Sequence, residues 1–225
     1  SAGATITLIP EEFNGRITLK LLVDHITCSI IKRLAVDAGY GVALLAEGFL
    51  EFIEPKELEA LLTSHETLER DEYGHIRLSE LNFSDIIKTA VKNRLKEFGI
   101  KTRLVDQEFG YELRCVNPCA FDIDYTRNLG YAAFEFLRKG GKNALISIQG
   151  DQIVPMPFKE IFDPETKKTR VRYVDVTSLS FKIATEYMIR LEKSDFEDED
   201  QLAKLAQIAH VSVDKFREEF EYLVK

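Results

Sequence analysis

Cysteine is scarce in this chain of 225 residues, and its three copies, Cys28, Cys115 and Cys119, form no even set. The odd count and irregular spacing exclude a disulfide framework and point to reduced thiols in a cytoplasmic protein. Cys115 and Cys119 flank Val-Asn-Pro, but His25, His65, His75 and His210 are scattered, so no zinc site and no metal ligands are assigned. Proline is also rare, at six residues, and with 45% hydrophobic residues the chain has the material for a sizeable core rather than for disorder. No apolar run approaches the ~20 residues of a membrane-spanning helix. No signal peptide is evident, because Ser1 leads almost at once into a strand-like run. Positive charge is in deficit: the formal net charge of −8 disfavours nucleic acid or an anionic membrane as a partner, while leaving room for a local basic pocket. Walker loops, dinucleotide fingerprints, nucleophile elbows and zinc-protease motifs are all missing. So is a general base held in a Gly-flanked, acid-rich turn, and no catalytic residue is assigned.

What is there alternates. Ala4–Pro10 reads as a buried strand, and a core strand so close to the first residue suggests that preceding elements of the fold lie outside the chain. Ile17–Ala38 carries Leu19, Leu22, Val23, Ile26, Ile30 and Leu34 at helical spacing, with Gly39 placed to close the helix. Tyr40–Ala46 is a near-continuous apolar run, as in a strand covered on both faces. A short helix after Pro55 and a peripheral strand within Asp71–Leu78 precede a second long helix, capped by Ser84 and ended by Gly99. Thr102–Phe109 is the next strand. Asp124–Arg138 is a helix packed through Leu129, Ala133, Phe136 and Leu137, and Gln149–Gln152 turns one strand into another as a hairpin. A polar loop over Asp163–Lys168, the strand-like Arg170–Val176 and a helix over Leu179–Leu191, with Phe181, Ala184, Tyr187 and Met188 inward, complete the pattern. The expected fold is α/β, a mostly parallel sheet with helices on both faces over residues 1–191. An acidic helical tail over 192–225 is expected as a solvated cap, or else as a hairpin for subunit contact.

Two strand exits carry chemistry. Tyr40–Gly48 ends in Glu47, and Lys101–Gly130 presents Tyr111, Glu112 and Arg114 in a Gly-containing turn. Strand exits in parallel α/β sheets are where anionic ligands sit, and the guanidinium fork fits phosphate bidentately. Taken alone, Arg114 serves equally well as a surface ion pair with Glu112 or Asp122, Glu47 as a turn-capping acid, and Tyr111 as core packing. Together they suit a sugar phosphate, because a carboxylate accepts from hydroxyls where an arginine holds the phosphate. Lys101, Arg103 and Arg127 are further phosphate candidates whose plainer reading is solvated charge.

The segments SAGATITLIPEEF, GVALLAEGFLEF, FGYELRC, FDIDYTRNLGYAAFEFL and ISIQGDQIVPMPF resemble the second half of bacterial 6-phosphofructokinases, in particular the pyrophosphate-dependent and mixed-donor type. The resemblance runs in unbroken order from Ser1 to about Leu191. It implies a phosphofructokinase-like fold and the glycolytic phosphorylation of fructose 6-phosphate to fructose 1,6-bisphosphate, with pyrophosphate the expected donor and ATP the other. It implies Glu47 on the sugar, and Tyr111, Glu112, Leu113 and Arg114 on the same substrate, with Arg114 on the 6-phosphate. Four residues before Tyr111, where many relatives carry a lysine, stands Gln107, which makes Arg103 a candidate phosphate contact. The family's Gly-Gly-Asp loop, its Thr-Ile-Asp segment with the catalytic base, and its Met-Gly-Arg segment do not occur in the chain. Mg2+ is expected with ligands outside it, and a homo-oligomer, dimer or tetramer, with the site near a subunit boundary. The expectation is a substrate-binding portion that is inactive alone; the alternative is a non-catalytic sugar-phosphate-binding or assembly module of the same fold.

Overall fold

The computed structural model describes residues 3–13, 15, 17–46, 48–54, 57, 82–110, 112, 115–162 and 173–224. In chain order the elements are β1 (Ile6–Leu8), α1 (Leu19–Leu34), β2 (Ala43–Leu45), a one-turn α2 (Phe49–Phe52) and α3 (Phe83–Glu97). They continue with α4 (Ala120–Arg138), β3 (Ala144–Gln149), β4 (Gln152–Pro157) and a one-turn α5 (Phe158–Ile161). Last come α6 (Leu179–Glu186), α7 (Lys193–Glu197), α8 (Glu199–Ile208) and α9 (Val213–Phe220). The chain is α/β with a parallel strand pair. It divides into two compact units, Ser1–Glu108 with Val174–Lys225, and Phe109–Tyr173. The expected helix after Pro55, the strand within Asp71–Leu78 and the loop over Asp163–Lys168 lie outside the described residues.

In the first unit, β1 pairs with β2 in parallel, Ile6 opposite Ala43 and Leu8 opposite Leu45. Ile6 and Leu8 are buried and Thr7 between them less so, the two-residue period of a strand. β2 is shorter than its apolar run, since Tyr40 and Val42 are exposed. Thr102–Phe109, expected as a strand, makes no ladder among the described residues. It keeps the period nonetheless, with Thr102, Leu104 and Asp106 half-buried between exposed Arg103, Val105 and Gln107.

Thr18 starts α1, its hydroxyl accepting from Leu21 N at 3.2 Å. The left-handed residue that closes the turn after α1 is Asp37 (φ 56), not Gly39, with Ala38 N donating to the Arg33 carbonyl at 3.0 Å. Aspartate is among the few residues besides glycine that adopt that conformation as single residues. The cap of α3 is Asn82, two residues ahead of the expected Ser84; its side chain accepts from Asp85 N at 2.9 Å. Gly99 (φ +69) does end α3, as its freedom from a Cβ allows.

The acidic tail is not a solvated cap. Phe196, Leu202, Leu205, Phe216 and Phe220 are buried in the same core cluster as Leu22, Ile26, Ile31, Val91 and Leu95. Phe216 and Phe220 lie 4.9 Å apart, centroid to centroid, and Phe98 of the α3 end lies 5.4 Å from Phe220. Apart from Asp195, which is buried, the acidic residues of α7 and α8 are exposed, and the inward sides of the two helices complete the unit. In α6, Ala184 and Tyr187 point outward rather than inward, Tyr187 being 78% exposed.

Charged groups bind the tail as well. The Asp24 side chain, fully buried in α1, accepts from Arg94 Nε at 2.8 Å, from the Tyr222 hydroxyl at 2.8 Å and from Lys20. Arg94 in turn donates to Glu219 at 2.6 Å. Lys32 donates to the Arg190 carbonyl and to Asp195, both at 2.7 Å, and Arg190 donates to Glu12 and to the Thr7 carbonyl of β1. Burial, then its bond to Asp24, pushes the Tyr222 hydroxyl well above the ordinary tyrosine range, so it stays a donor.

His25 packs beside Phe13, ring centroids 5.6 Å apart. Burial pushes its pKa down from 6.5 to about 4, Arg190 adding to the effect and Asp24 opposing it. The native state therefore refuses a proton that the unfolded chain takes up. Stability is expected to fall as pH drops from about 6.5 to about 4, by about 3 kcal/mol from this group. Urea melts of wild type and His25→Gln over that window check it: the variant should lose this slope, and parallel curves would remove His25 from the account.

The second unit is α4, an antiparallel hairpin and α5. β3 and β4 pair from Ala144–Pro157 to Gln149–Gln152 around the expected turn, with Gly150 (φ 52) and Asp151 (φ 62) both left-handed. Two left-handed residues make the turn whose twist matches the strands it joins. α4 begins at Ala120, four residues before expectation, because Asp122 folds back to accept from Cys119 N at 2.9 Å. Gly141 lets the chain pass close over Phe136; a Cβ there would meet the ring at 2.5 Å. Leu129, Ala133 and Phe136 are partly covered as expected, but Leu137 is 66% exposed.

Candidate functional site

The first strand exit is set by the β1–β2 ladder. Ala46 N donates to the Leu8 carbonyl at 3.2 Å as the chain leaves β2, and Phe49 N donates back to the Ala46 carbonyl at 3.3 Å. Phe49, fully buried, anchors the turn that follows. The residue between Ala46 and Gly48 is Glu47, which lies outside the described residues, as do Tyr111, Leu113 and Arg114.

Glu112 and Arg103 are described. Glu112 is exposed, and its carboxylate accepts from Gly110 N at 3.1 Å, while Cys115 N donates to its carbonyl at 3.3 Å. Backbone N–H groups, its own first and then that of Gly110, hold its carboxyl below the usual range. Glu112 thus stays charged and closes the turn. Arg103 is exposed and makes no ion pair among the described residues, which suits a solvated cation or a ligand contact equally. Among the described residues Gln107 donates only to the neighbouring Glu108 carbonyl, at 3.2 Å. Arg103 and Glu112 belong to different compact units. Asp122, a possible ion-pair partner for Arg114 on sequence grounds, has one carboxylate oxygen engaged in capping α4.

Among the described residues no three His, Cys, Asp or Glu side chains come together to hold a metal ion, so no step through Mg2+ can be built on them. Cys28 is buried and Cys115 and Cys119 are exposed, all three free. No helix among the described residues is long and apolar enough to cross a membrane. The polar cluster around Asp24 escaped the sequence reading, which counted only apolar positions on α1. The available signal was Asp24 itself, an acid at helical spacing among apolar positions with Lys20 at i−4.

No protein-family model matches the chain. Individual proteins do. A pyrophosphate–fructose 6-phosphate 1-phosphotransferase of Naegleria fowleri is 44% identical over 233 aligned residues, which take in 100% of this chain and 53% of that protein. One of Thermotoga maritima is 40% identical over 98% of this chain and 53% of its own length. The chain belongs to the 6-phosphofructokinase family. It spans about half the length of these curated relatives, the C-terminal half. A phosphofructokinase relative from Solanum tuberosum, the beta subunit of the same type of enzyme, is 29% identical over 67% of the chain. The near-complete matches to the first two relatives carry the likeness past Leu191 into the tail, in keeping with its buried phenylalanines and leucines.

Proposed function

We propose that this chain is the fructose-6-phosphate-binding portion of a pyrophosphate-dependent phosphofructokinase. The observation that carries the reading is identity of 44% and 40%, across essentially the whole chain, to two proteins named for pyrophosphate and fructose 6-phosphate. Glu47 accepts from the sugar hydroxyls, and Arg114 grips the 6-phosphate with two parallel N–H···O bonds. Tyr111 and Leu113 line the sugar, Glu112 closes the turn that presents them, and Arg103 is the second cation for the phosphate. The donor is pyrophosphate, with ATP the other candidate. The donor site, the catalytic base and the Mg2+ ligands lie outside these residues, because phosphoryl transfer needs a metal-bridged donor and a base on the attacking hydroxyl, and none of the motifs that supply them occurs here. The working protein is a cytoplasmic homo-oligomer.

Arg114→Ala is expected to weaken fructose 6-phosphate binding by about 1.5–3 kcal/mol, the worth of a hydrogen bond to a charged group. Isothermal titration of wild type and variant measures it, and equal affinities would return Arg114 to the role of a surface ion pair. In a coupled assay with pyrophosphate or ATP, the pure chain should form no fructose 1,6-bisphosphate. Turnover by the pure chain would overturn its incompleteness; undetectable sugar-phosphate binding would favour an assembly module.

A further inference from the structure

The turn that follows β1 and the two neighbours of Glu47 in the chain are built against each other at three points. Ala46 N donates to the Leu8 carbonyl at 3.2 Å. A Cβ added to Gly48 would already touch Pro10 Cγ at 3.7 Å, so the chain just past Glu47 runs beside the Pro10 ring. One residue further on, Phe49 packs against Phe13 with ring centroids 6.2 Å apart. Whatever fixes Pro10–Phe13 therefore fixes the chain on either side of Glu47.

One pair of charges fixes it. Pro10–Glu12 is a single turn of 3-10 helix, and the Glu12 carboxylate folds back over it to accept from Ile9 N at 3.1 Å. Arg190 holds that carboxylate with both terminal nitrogens, Nη1 on one oxygen and Nη2 on the other, the latter at 3.2 Å. Nη2 also donates to the Thr7 carbonyl of β1. The arginine is delivered by a fixed backbone: Ile189 N donates to the Thr5 carbonyl at 2.8 Å, and the Arg190 carbonyl accepts from Lys32 at 2.7 Å. The Arg190 and Glu12 side chains are only 17% and 11% exposed. A pair so deeply covered adds little net stability, because the cost of desolvating both charges offsets their attraction; its use is to fix one geometry.

We propose, on the reading of Glu47 as the sugar contact, that Glu12 and Arg190 are positioning residues for fructose 6-phosphate. Together they hold the Pro10–Phe13 turn, and through Leu8, Pro10 and Phe13 they hold the exit of β2 at which Glu47 meets the sugar hydroxyls. Neither of the two touches the substrate. A hydrogen bond weakens steeply once its acceptor is displaced or misaligned. Loosening the turn should therefore tell on the sugar and not on the phosphate, which Arg114 grips.

The test is isothermal titration of the 225-residue chain with fructose 6-phosphate and, separately, with inorganic phosphate, which offers Glu47 no sugar hydroxyl. Arg190→Met keeps an apolar stem and removes the fork. It is expected to weaken fructose 6-phosphate binding roughly tenfold, about the worth of one hydrogen bond to a charged group, and to leave inorganic phosphate unchanged. Arg190→Lys, which keeps one charged donor, should recover part of the loss. If Arg190→Met alone loses its cooperative thermal melt, Arg190→Lys and Glu12→Gln carry the same comparison. In a Glu47→Ala background Arg190→Met should cost nothing further, since the contact it positions is already gone. Wild-type affinity in Arg190→Met overturns the proposal, as does an equal loss for both ligands or a full loss that persists beside Glu47→Ala. Those results leave the sugar role of Glu47 standing. Wild-type affinity in Glu47→Ala, or no fructose 6-phosphate binding by the unaltered chain, overturns that role and the proposal with it.

Discussion

Ending the chain at Leu191 is expected to leave the first unit without a cooperative fold. The deletion removes Phe196, Leu202, Leu205, Phe216 and Phe220, all buried against α1 and α3. At about 1.5–3 kcal/mol for each such side chain, their burial contributes on the order of 10 kcal/mol. That matches the whole margin of about 5–15 kcal/mol by which native proteins are stable. The same cut strips Lys32 of Asp195, Arg94 of Glu219 and Asp24 of the Tyr222 hydroxyl. Circular dichroism with urea titration of residues 1–191 reads the result. A truncated chain that still melts in one sharp transition near the wild-type midpoint would make the tail dispensable. Phe220→Ala probes the same contact in the intact chain and is expected to cost about 3–5 kcal/mol.

Replacing Asp24 is expected to have the largest effect of any polar substitution. Its carboxylate is fully buried and joins three segments: Lys20 on its own helix, Arg94 on α3 and Tyr222 beyond α9. Asp24→Ala leaves the half-buried Arg94 guanidinium short of an acceptor and the Tyr222 hydroxyl without one, a loss of about 3–5 kcal/mol for breaking the ion pair of a buried carboxylate from one side. Asp24→Asn keeps the shape and one acceptor oxygen, so its loss should be intermediate. Tyr222→Phe removes a single bond to a charged group, about 1.5–3 kcal/mol. Equal stability of Asp24→Asn and wild type would show that shape, not charge, holds the cluster. Because Asp24 and Tyr222 share one hydrogen bond, which either single variant already weakens or removes, the double variant Asp24→Asn/Tyr222→Phe should cost less than the sum of the two singles.

Local order was legible where the signal is local. The helical spacing of Leu22, Val23 and Ile26, the Gly99 stop and the Gly150-Asp151 turn all depend on residues within a few positions of one another, and the structure has each of them. Where two neighbours competed for a role, the choice was less legible. Asn82 took the cap from Ser84 by accepting from Asp85 N, and Asp37 took the left-handed position from Gly39. The family was legible from ordered motifs, and near-complete matches to two relatives bear it out. Of the candidate site, the described residues hold only Glu112 and Arg103, and they show Glu112 bonded into its own turn.

By itself, then, the amino-acid sequence determined the class of the fold, the succession of helices, the hairpin and the family. Tertiary structure decided what the tail is for and where charge could be buried. An acidic stretch such as Ser194–Asp200 reads as solvated because composition averages over both sides of a helix. Only packing reveals that Phe196 and Leu202 on the inward sides meet Leu22 and Leu95 from far along the chain. Likewise Asp24 looks misplaced on an apolar helix until Arg94 and Tyr222, brought from 70 and 198 positions away, supply the donors that make its burial stable.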